Sequence, residues 1–175
     1  MIEFSGSARD LSPAQQVSLI SGGDFWRTQA LPEAGVPSCF LSDGPHGLRV
    51  QPQAGDNLGT GGSEPATCFP AAVTMAATWD EALVAEVADA VAVEALAMGV
   101  DVVLGPGLNI KRHPLCGRNF EYFSEDPVLS GRLAAAAVRG LQDRGVGACL
   151  KHFAVNNQED HRFLVDAVVD ERTLR

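Results

Sequence analysis

The sequence predicts an α/β fold, a partial TIM-type (β/α) barrel, and three observations carry that prediction. Short apolar runs of strand length, such as Val100 to Leu104, alternate with helical stretches, such as Asp80 to Met98. Strands alternating with helices build parallel sheets. Most of the apolar runs lead into loops heavy in Asp, Asn, Arg, Gly or His, and a barrel of this type gathers such loops on one face. The count is also short: four or five strands are legible in 175 residues, whereas closure needs eight strands and roughly 250 residues. The last residues, Asp170-Glu171-Arg172, read as a helix start. Residues 1–175 are therefore expected to form an incomplete N-terminal part of a larger barrel domain.

In chain order, residues 12–21 read as a first helix. Ser12 suits the N-cap, Pro13 the first helical position and Gln15 the capping box. Val17, Leu19 and Ile20 give it a partial apolar face, and Gly22-Gly23 stops it. Residues 36–42 read as a short strand entering the loop Asp43-Gly44-Pro45-His46-Gly47. The aperiodic segment 51–66, rich in Gly, Pro, Asn and Ser, reads as a long loop. Phe69 to Thr74 reads as a second short strand, weakened by Pro70.

Asp80 to Met98 is the clearest helix, with Leu83, Val84, Val87, Val91 and Leu96 near helical spacing and Gly99 as its stop. Val100 to Leu104 is β-branched and apolar, a buried strand ended by Gly105-Pro106-Gly107. A long loop runs on to Asp126. There Asp126-Pro127 opens a helix that passes through Leu129, Leu133, Val138 and Leu141 to Gly145. Gly147 to Phe153 is the next strand, and the partial alternation of Phe163 to Val169 suggests one more.

Bulk properties exclude several classes. A formal net charge of −9 with no basic run argues against a nucleic-acid partner, which needs clustered Lys and Arg. No apolar run approaches the roughly 18 residues of a membrane span. The first twenty residues hold Glu3, Arg9 and Asp10 and no apolar core, so no signal peptide is read. Cys39, Cys68, Cys116 and Cys149 form no CxxC pair, and the histidines form no HxH or HxxxH pair, so no metal or redox cofactor is expected. A reducing cytoplasm is the expected location. Gly105-Pro106-Gly107 lacks the third glycine of a dinucleotide fingerprint, and no GxSxG elbow occurs.

Three clusters at strand ends could carry chemistry. In Ser42-Asp43-Gly44-Pro45, Asp43 either accepts hydrogen bonds from ligand hydroxyls or makes an Asx turn. The stretch Cys116 to Pro127 packs Arg118 with Glu121, Glu125, Asp126 and three aromatics. Arg118 suits an oxygen-rich ligand, and an arginine–carboxylate structural network is the alternative. The third cluster, Gly147 to Arg162, delivers Lys151 and His152 at the end of an apolar run. A polar loop, Asn156 to Asp160, comes next and closes on Arg162. Adjacent residues on a strand point to opposite faces, so Lys151 and His152 meet one ligand only if the strand ends or twists there. His46, His113 and His161 read as structural.

The segments SDGPHGLR (42–49), FPAAVTMAATWD (69–80), GPGLNIKRHPLCGRNFEYFSEDP (105–127) and KHFAVNNQEDHR (151–162) together resemble glycoside hydrolase family 3, in its β-glucosidase-like branch. The resemblance spans about residues 10–175, and GRNFEYFSEDP and KHFAVNNQE are its most specific strings. It implies the N-terminal portion of the family's first domain, a barrel or collapsed barrel, and a subsite for one terminal non-reducing sugar. By the resemblance, Asp43 binds distal hydroxyls, Arg118, Lys151 and His152 surround the sugar, and Arg162 lies near the same subsite. The implied partner is a β-linked glucoside or related small glycoside. The KHFPGHG-type loop of the family's N-acetylglucosaminidase branch is replaced here by Lys151-His152-Phe153-Ala154-Val155-Asn156-Asn157.

The family's mechanism is retaining and needs two carboxylates about 5–5.5 Å apart. The resemblance places its aspartate nucleophile in an SDW-like motif after the KHF segment, and its acid/base glutamate later still. No SDW motif occurs here, and Glu121, Glu125 and Asp126 match positions that are not catalytic. Both catalytic carboxylates are therefore expected beyond Arg175, and the 175-residue chain is expected to hold much of the sugar subsite and, alone, to hydrolyse nothing. Two other readings are open to the residues: a non-catalytic sugar-binding remnant, and a barrel enzyme using Lys151 as a Schiff-base nucleophile. An incomplete barrel would also expose sheet edges through which copies could associate.

Overall fold

The computed structural model describes residues 8–51 and 62–175; most of the predicted 51–66 loop lies outside them. Among the described residues three parallel strands form one open sheet in the order β1-β2-β3. They are β1, Leu41–Ser42; β2, Val102–Val103; and β3, Gly147–Ala148. Leu41 pairs with Val102 and Val102 with Gly147, so the strands end level with one another. The α/β class and the unclosed sheet agree with the sequence. The strands are fewer and shorter than expected.

Helix α1 spans Pro13–Leu19, with the Ser12 capping box formed in both directions. Its expected apolar face is not buried, since Val17 and Ile20 are exposed. Helix α2 spans Ala72–Ala76 and replaces the strand expected over Phe69 to Thr74. Pro70 has no N–H for a ladder, and the alanine-rich residues after it are good helix formers. Ala71 stays extended as the N-cap while its carbonyl accepts from Met75 N at 3.0 Å.

Helix α3 spans Glu81–Ala97. Asp80 caps it, its Oδ1 accepting from Ala82 N at 2.9 Å and Leu83 N at 3.0 Å. Gly99 at φ 69° ends it, in the left-handed region that costs glycine nothing. Helix α4 spans Pro127–Gln142, and Asp126 Oδ1 accepts from Leu129 N at 2.7 Å. The inward stripe of α3 is Val84, Ala88, Val91, Ala92 and Ala95, and that of α4 includes Leu133, Ala134, Ala136, Ala137, Gly140 and Leu141. Small residues dominate both stripes, so the helix axes approach closely. Both helices share one core with Val100, Val103 and Val146 from around β2 and β3.

No strand forms over Phe163 to Val169. Residues 163–168 are exposed, and Leu164 N and Val165 N both donate to His161 O in a turn. An alternating pattern makes a strand only where a neighbour covers its apolar face. Helix α5, Glu171–Leu174, forms where a helix start was expected, with Asp170 as its N-cap and Arg175 as its C-cap. Among the described residues no helix is long and apolar enough to cross a membrane.

Candidate substrate-binding site

Because the strands are parallel and level, the loops that leave them gather at one end of the sheet. Asp43 comes directly after β1, Gly105-Pro106-Gly107 shortly after β2, and Lys151 after a short extension of β3. Lys151 N donates to Pro106 O at 3.2 Å, and Leu108 N donates back to Lys151 O at 2.8 Å. Gly107 also bridges to Tyr122, which draws the 118–122 segment over the same end. The turn at Asp43 depends on Gly44 at φ 109°, where a Cβ would lie 2.0 Å from Gly47 O.

Four charged groups converge there. Lys151 Nζ donates to Asp43 Oδ1 at 3.0 Å and lies 3.5 Å from Glu121 Oε2. Arg118 Nε donates to the other oxygen, Glu121 Oε1. Glu121 is buried and holds both cations, whereas the Asp43 side chain is 44% exposed. One carboxylate thus braces the cluster from inside and another stays open to a ligand. This is the arrangement that makes strong, directional bonds to hydroxyls.

His152 faces the same segment. Its Nδ1 lies 2.7 Å from the Tyr122 hydroxyl, and the two rings meet edge to face. Asn109, itself buried, clamps the His152 peptide from both sides: its Oδ1 accepts from His152 N at 2.5 Å and its Nδ2 donates to His152 O at 3.3 Å. Asn156 Nδ2 donates to the Tyr122 hydroxyl at 3.0 Å and to Glu159 Oε1 at 2.8 Å. Arg162 Nη1 donates to Glu159 Oε2 at 3.0 Å and its guanidinium stacks 4.8 Å from the Phe163 ring.

The electrostatics follow from this packing. Burial pushes the Asp43 carboxyl up, but the charge and hydrogen bond of Lys151, the Gly44 amide and Arg118 together bring it below the ordinary 3.8. Burial lowers His152, and the charges of Arg118 and Lys151 lower it further against Glu121 and Glu159, which favours the neutral imidazole. Burial likewise lowers His46, against the opposing pull of Glu121 and Asp43. Both His46 ring nitrogens are buried and have no hydrogen-bond partner among the described residues.

Of the five residues singled out by sequence, Asp43, Arg118 and Lys151 meet around Glu121, and His152 adjoins them through Tyr122. Arg162 is exposed and, among the described residues, is linked to the cluster through Glu159 and Asn156. Arg175, beyond which the two catalytic carboxylates are expected, is exposed and pairs with Glu171 at 2.8 Å as the C-cap of α5. Sequence reasoning did not single out Tyr122, Asn109, Asn156 or Glu159. It read Glu121 as non-catalytic and allowed it a structural pairing with Arg118, which is the contact observed.

A family model described as "Glycosyl hydrolase family 3 N terminal domain" matches residues 42–175. The chain is 53% identical over 174 residues to "Thermostable beta-glucosidase B" of Acetivibrio thermocellus, covering 99% of this chain and 23% of that protein. It is 48% identical over 171 residues to "Exo-alpha-(1->6)-L-arabinopyranosidase" of Bifidobacterium longum, covering 97% of this chain and 22% of that one. The crystal structure of a Bifidobacterium adolescentis GH3 beta-glucosidase superposes with a TM-score of 0.84 at 46% identity, covering 96% of this chain and 23% of that chain. The chain thus spans less than a quarter of the length of each of these proteins.

Proposed function

Since the chain belongs to glycosyl hydrolase family 3, we propose that it supplies the hydroxyl-gripping side of a sugar subsite in a retaining, exo-acting β-glycosidase. The observation that carries this is the Asp43 carboxylate, held ionised by Lys151 at 3.0 Å yet 44% exposed. Asp43 accepts bonds from two sugar hydroxyls. Lys151, Arg118 and neutral His152 donate to hydroxyl oxygens on the same ring. A site built to bond hydroxyls rejects sugars that lack them. The nucleophile and acid/base are assigned to no residue up to Arg175, so these groups bind and orient while residues outside the 175 break the bond.

The substrate is a β-linked glucoside or related small glycoside. Residence in a reducing cytoplasm belongs to the same reading, supported by four unpaired cysteines, as does self-association of the isolated chain through its free sheet edge.

Asp43→Ala, in the protein as its gene encodes it, tests the binding role. Hydrogen bonds to a charged group are worth about 1.5–3 kcal/mol each. Losing two should lower kcat/KM for 4-nitrophenyl β-D-glucopyranoside by roughly 10² or more. A change within about twofold would remove Asp43 from the subsite. The purified 175-residue chain serves as the blank, and turnover by it would overturn the assignment of catalysis elsewhere.

A further inference from the structure

We propose that Tyr122 and Asn156 are positioning residues that fix His152 in the tautomer with its proton on Nε2. The inference deepens the sugar-subsite reading and rests on it for its functional consequence.

Donor and acceptor inventories, together with the burial of Tyr122, lead to the assignment. The Glu159 carboxylate, paired with Arg162 at 3.0 Å, can only accept. Its contact with Asn156 at 2.8 Å therefore requires the amide nitrogen, which sets the amide's orientation. The same nitrogen has a second proton, and it points to the Tyr122 oxygen at 3.0 Å. Tyr122 thus accepts from Asn156, and because it is 1% exposed and its hydroxyl meets no other acceptor among the described residues, its proton goes to its other partner, His152 Nδ1, at 2.7 Å. Nδ1 must then be the acceptor, which puts the imidazole proton on Nε2.

Three further observations agree. Burial holds the Tyr122 phenol above its ordinary range, so it keeps the proton it must donate. Burial and the neighbouring Arg118 and Lys151 hold His152 below its ordinary range, which leaves one nitrogen free to accept. Asn109 fixes the His152 backbone through both its N–H and its carbonyl, so the ring's position is set independently of the relay. Nε2 has no protein partner among the described residues and is not sealed from solvent. Nε2–H is therefore an outward donor, suited to a hydroxyl oxygen. Arg162 acts at the far end of the relay by orienting Glu159.

The test reads the tautomer directly. In protein labelled with 15N-histidine, the His152 signals are identified by their loss in His152→Gln. The expected parent spectrum at pH 7 has a protonated-type Nε2 and an unprotonated-type Nδ1. Asn156→Asp offers Tyr122 an acceptor in place of a donor, so the phenol turns away and the His152 proton moves to Nδ1. Tyr122→Phe removes the donor and abolishes the preference. A parent with the proton on Nδ1, or the expected parent unchanged by either variant, overturns the proposal. If Tyr122→Phe fails to fold, Asn156→Asp, in a half-buried loop, decides alone.

The functional arm uses D-glucose as probe. Losing one neutral hydrogen bond should raise its dissociation constant roughly three- to tenfold in both variants. In a His152→Gln background Tyr122→Phe should add nothing, because it acts through the histidine. An additive effect there overturns the positioning role. If the tautomer responds as stated but the parent neither binds glucose nor turns over a nitrophenyl glucoside, the relay stands and the sugar-subsite reading falls.

Discussion

His46 is a buried imidazole beside the charged cluster, with no hydrogen-bond partner for either ring nitrogen among the described residues. Folding disfavours its protonation through burial, and Lys151 acts in the same sense against Glu121 and Asp43. The unfolded chain therefore binds more protons, and stability rises with pH where that holds. The contribution is complete above the ordinary histidine value of 6.5 and is lost as pH falls through the lower folded value. His152 adds to the same limb, and Asp43 adds a further loss at lower pH, below 3.8. The denaturant midpoint should fall as pH is lowered below about 6.5, and His46→Leu should flatten that limb. An unchanged limb in the variant would clear His46. Legibility at this scale followed sequence distance. Arg118 and Glu121, three apart, could be paired on paper. Tyr122 and His152, thirty apart, could not, since only the fold brings the loop after β2 onto the end of β3.

Elements with local signals were legible nearly to the residue. Ser12, Asp80, Asp126 and Asp170 each cap the helix they were expected to start, because a cap is chemistry within one turn. Strands fared worse, because a strand exists only through its partner. Phe163 to Val169 has none, and Phe69 to Thr74 found a helix instead. The inward face of α3 was misjudged for a related reason: Leu83 and Leu96 looked like core and are exposed, while Ala88, Ala92 and Ala95 are buried. Close helix approach selects small residues, and a hydrophobicity pattern underrates them. Two glycines of α4 test this. At Gly140 a Cβ would lie 2.4 Å from Ala85 O and 2.8 Å from Ala88 Cβ, while at Gly131 nothing lies within 4 Å. Glycine to alanine gains up to about 1 kcal/mol of helix propensity, but overpacking costs about 1–3 kcal/mol. Thermal melts should show Gly131→Ala stabilised and Gly140→Ala destabilised. Equal shifts in the two would mean that the α3–α4 contact has room to spare.

For the whole molecule, two opposing terms decide whether copies of the chain stay apart. β3 is an edge strand with no partner on its far side among the described residues. Beyond it Phe153, Phe163, Leu164 and Val168 are each more than 80% exposed. Beside them a cavity of about 410 Å³ is lined in part by Leu108, Ile110, Leu150 and Leu174. A free edge flanked by apolar surface is a template for pairing with another chain. Against it stands a net charge of −9, which repels copies at long range. Salt separates the two, since at 0.15 M the Debye length is only about 8 Å and apolar contact is not screened. Size-exclusion chromatography of the 175-residue chain should therefore show self-association that grows with protein concentration and with salt. Phe153→Asp, which puts a charge beside the edge, should shift the distribution toward monomer. A sharp monomer at every concentration and salt would mean that the charge outweighs the exposed edge. A salt-induced dimer untouched by Phe153→Asp would put the contact on another face.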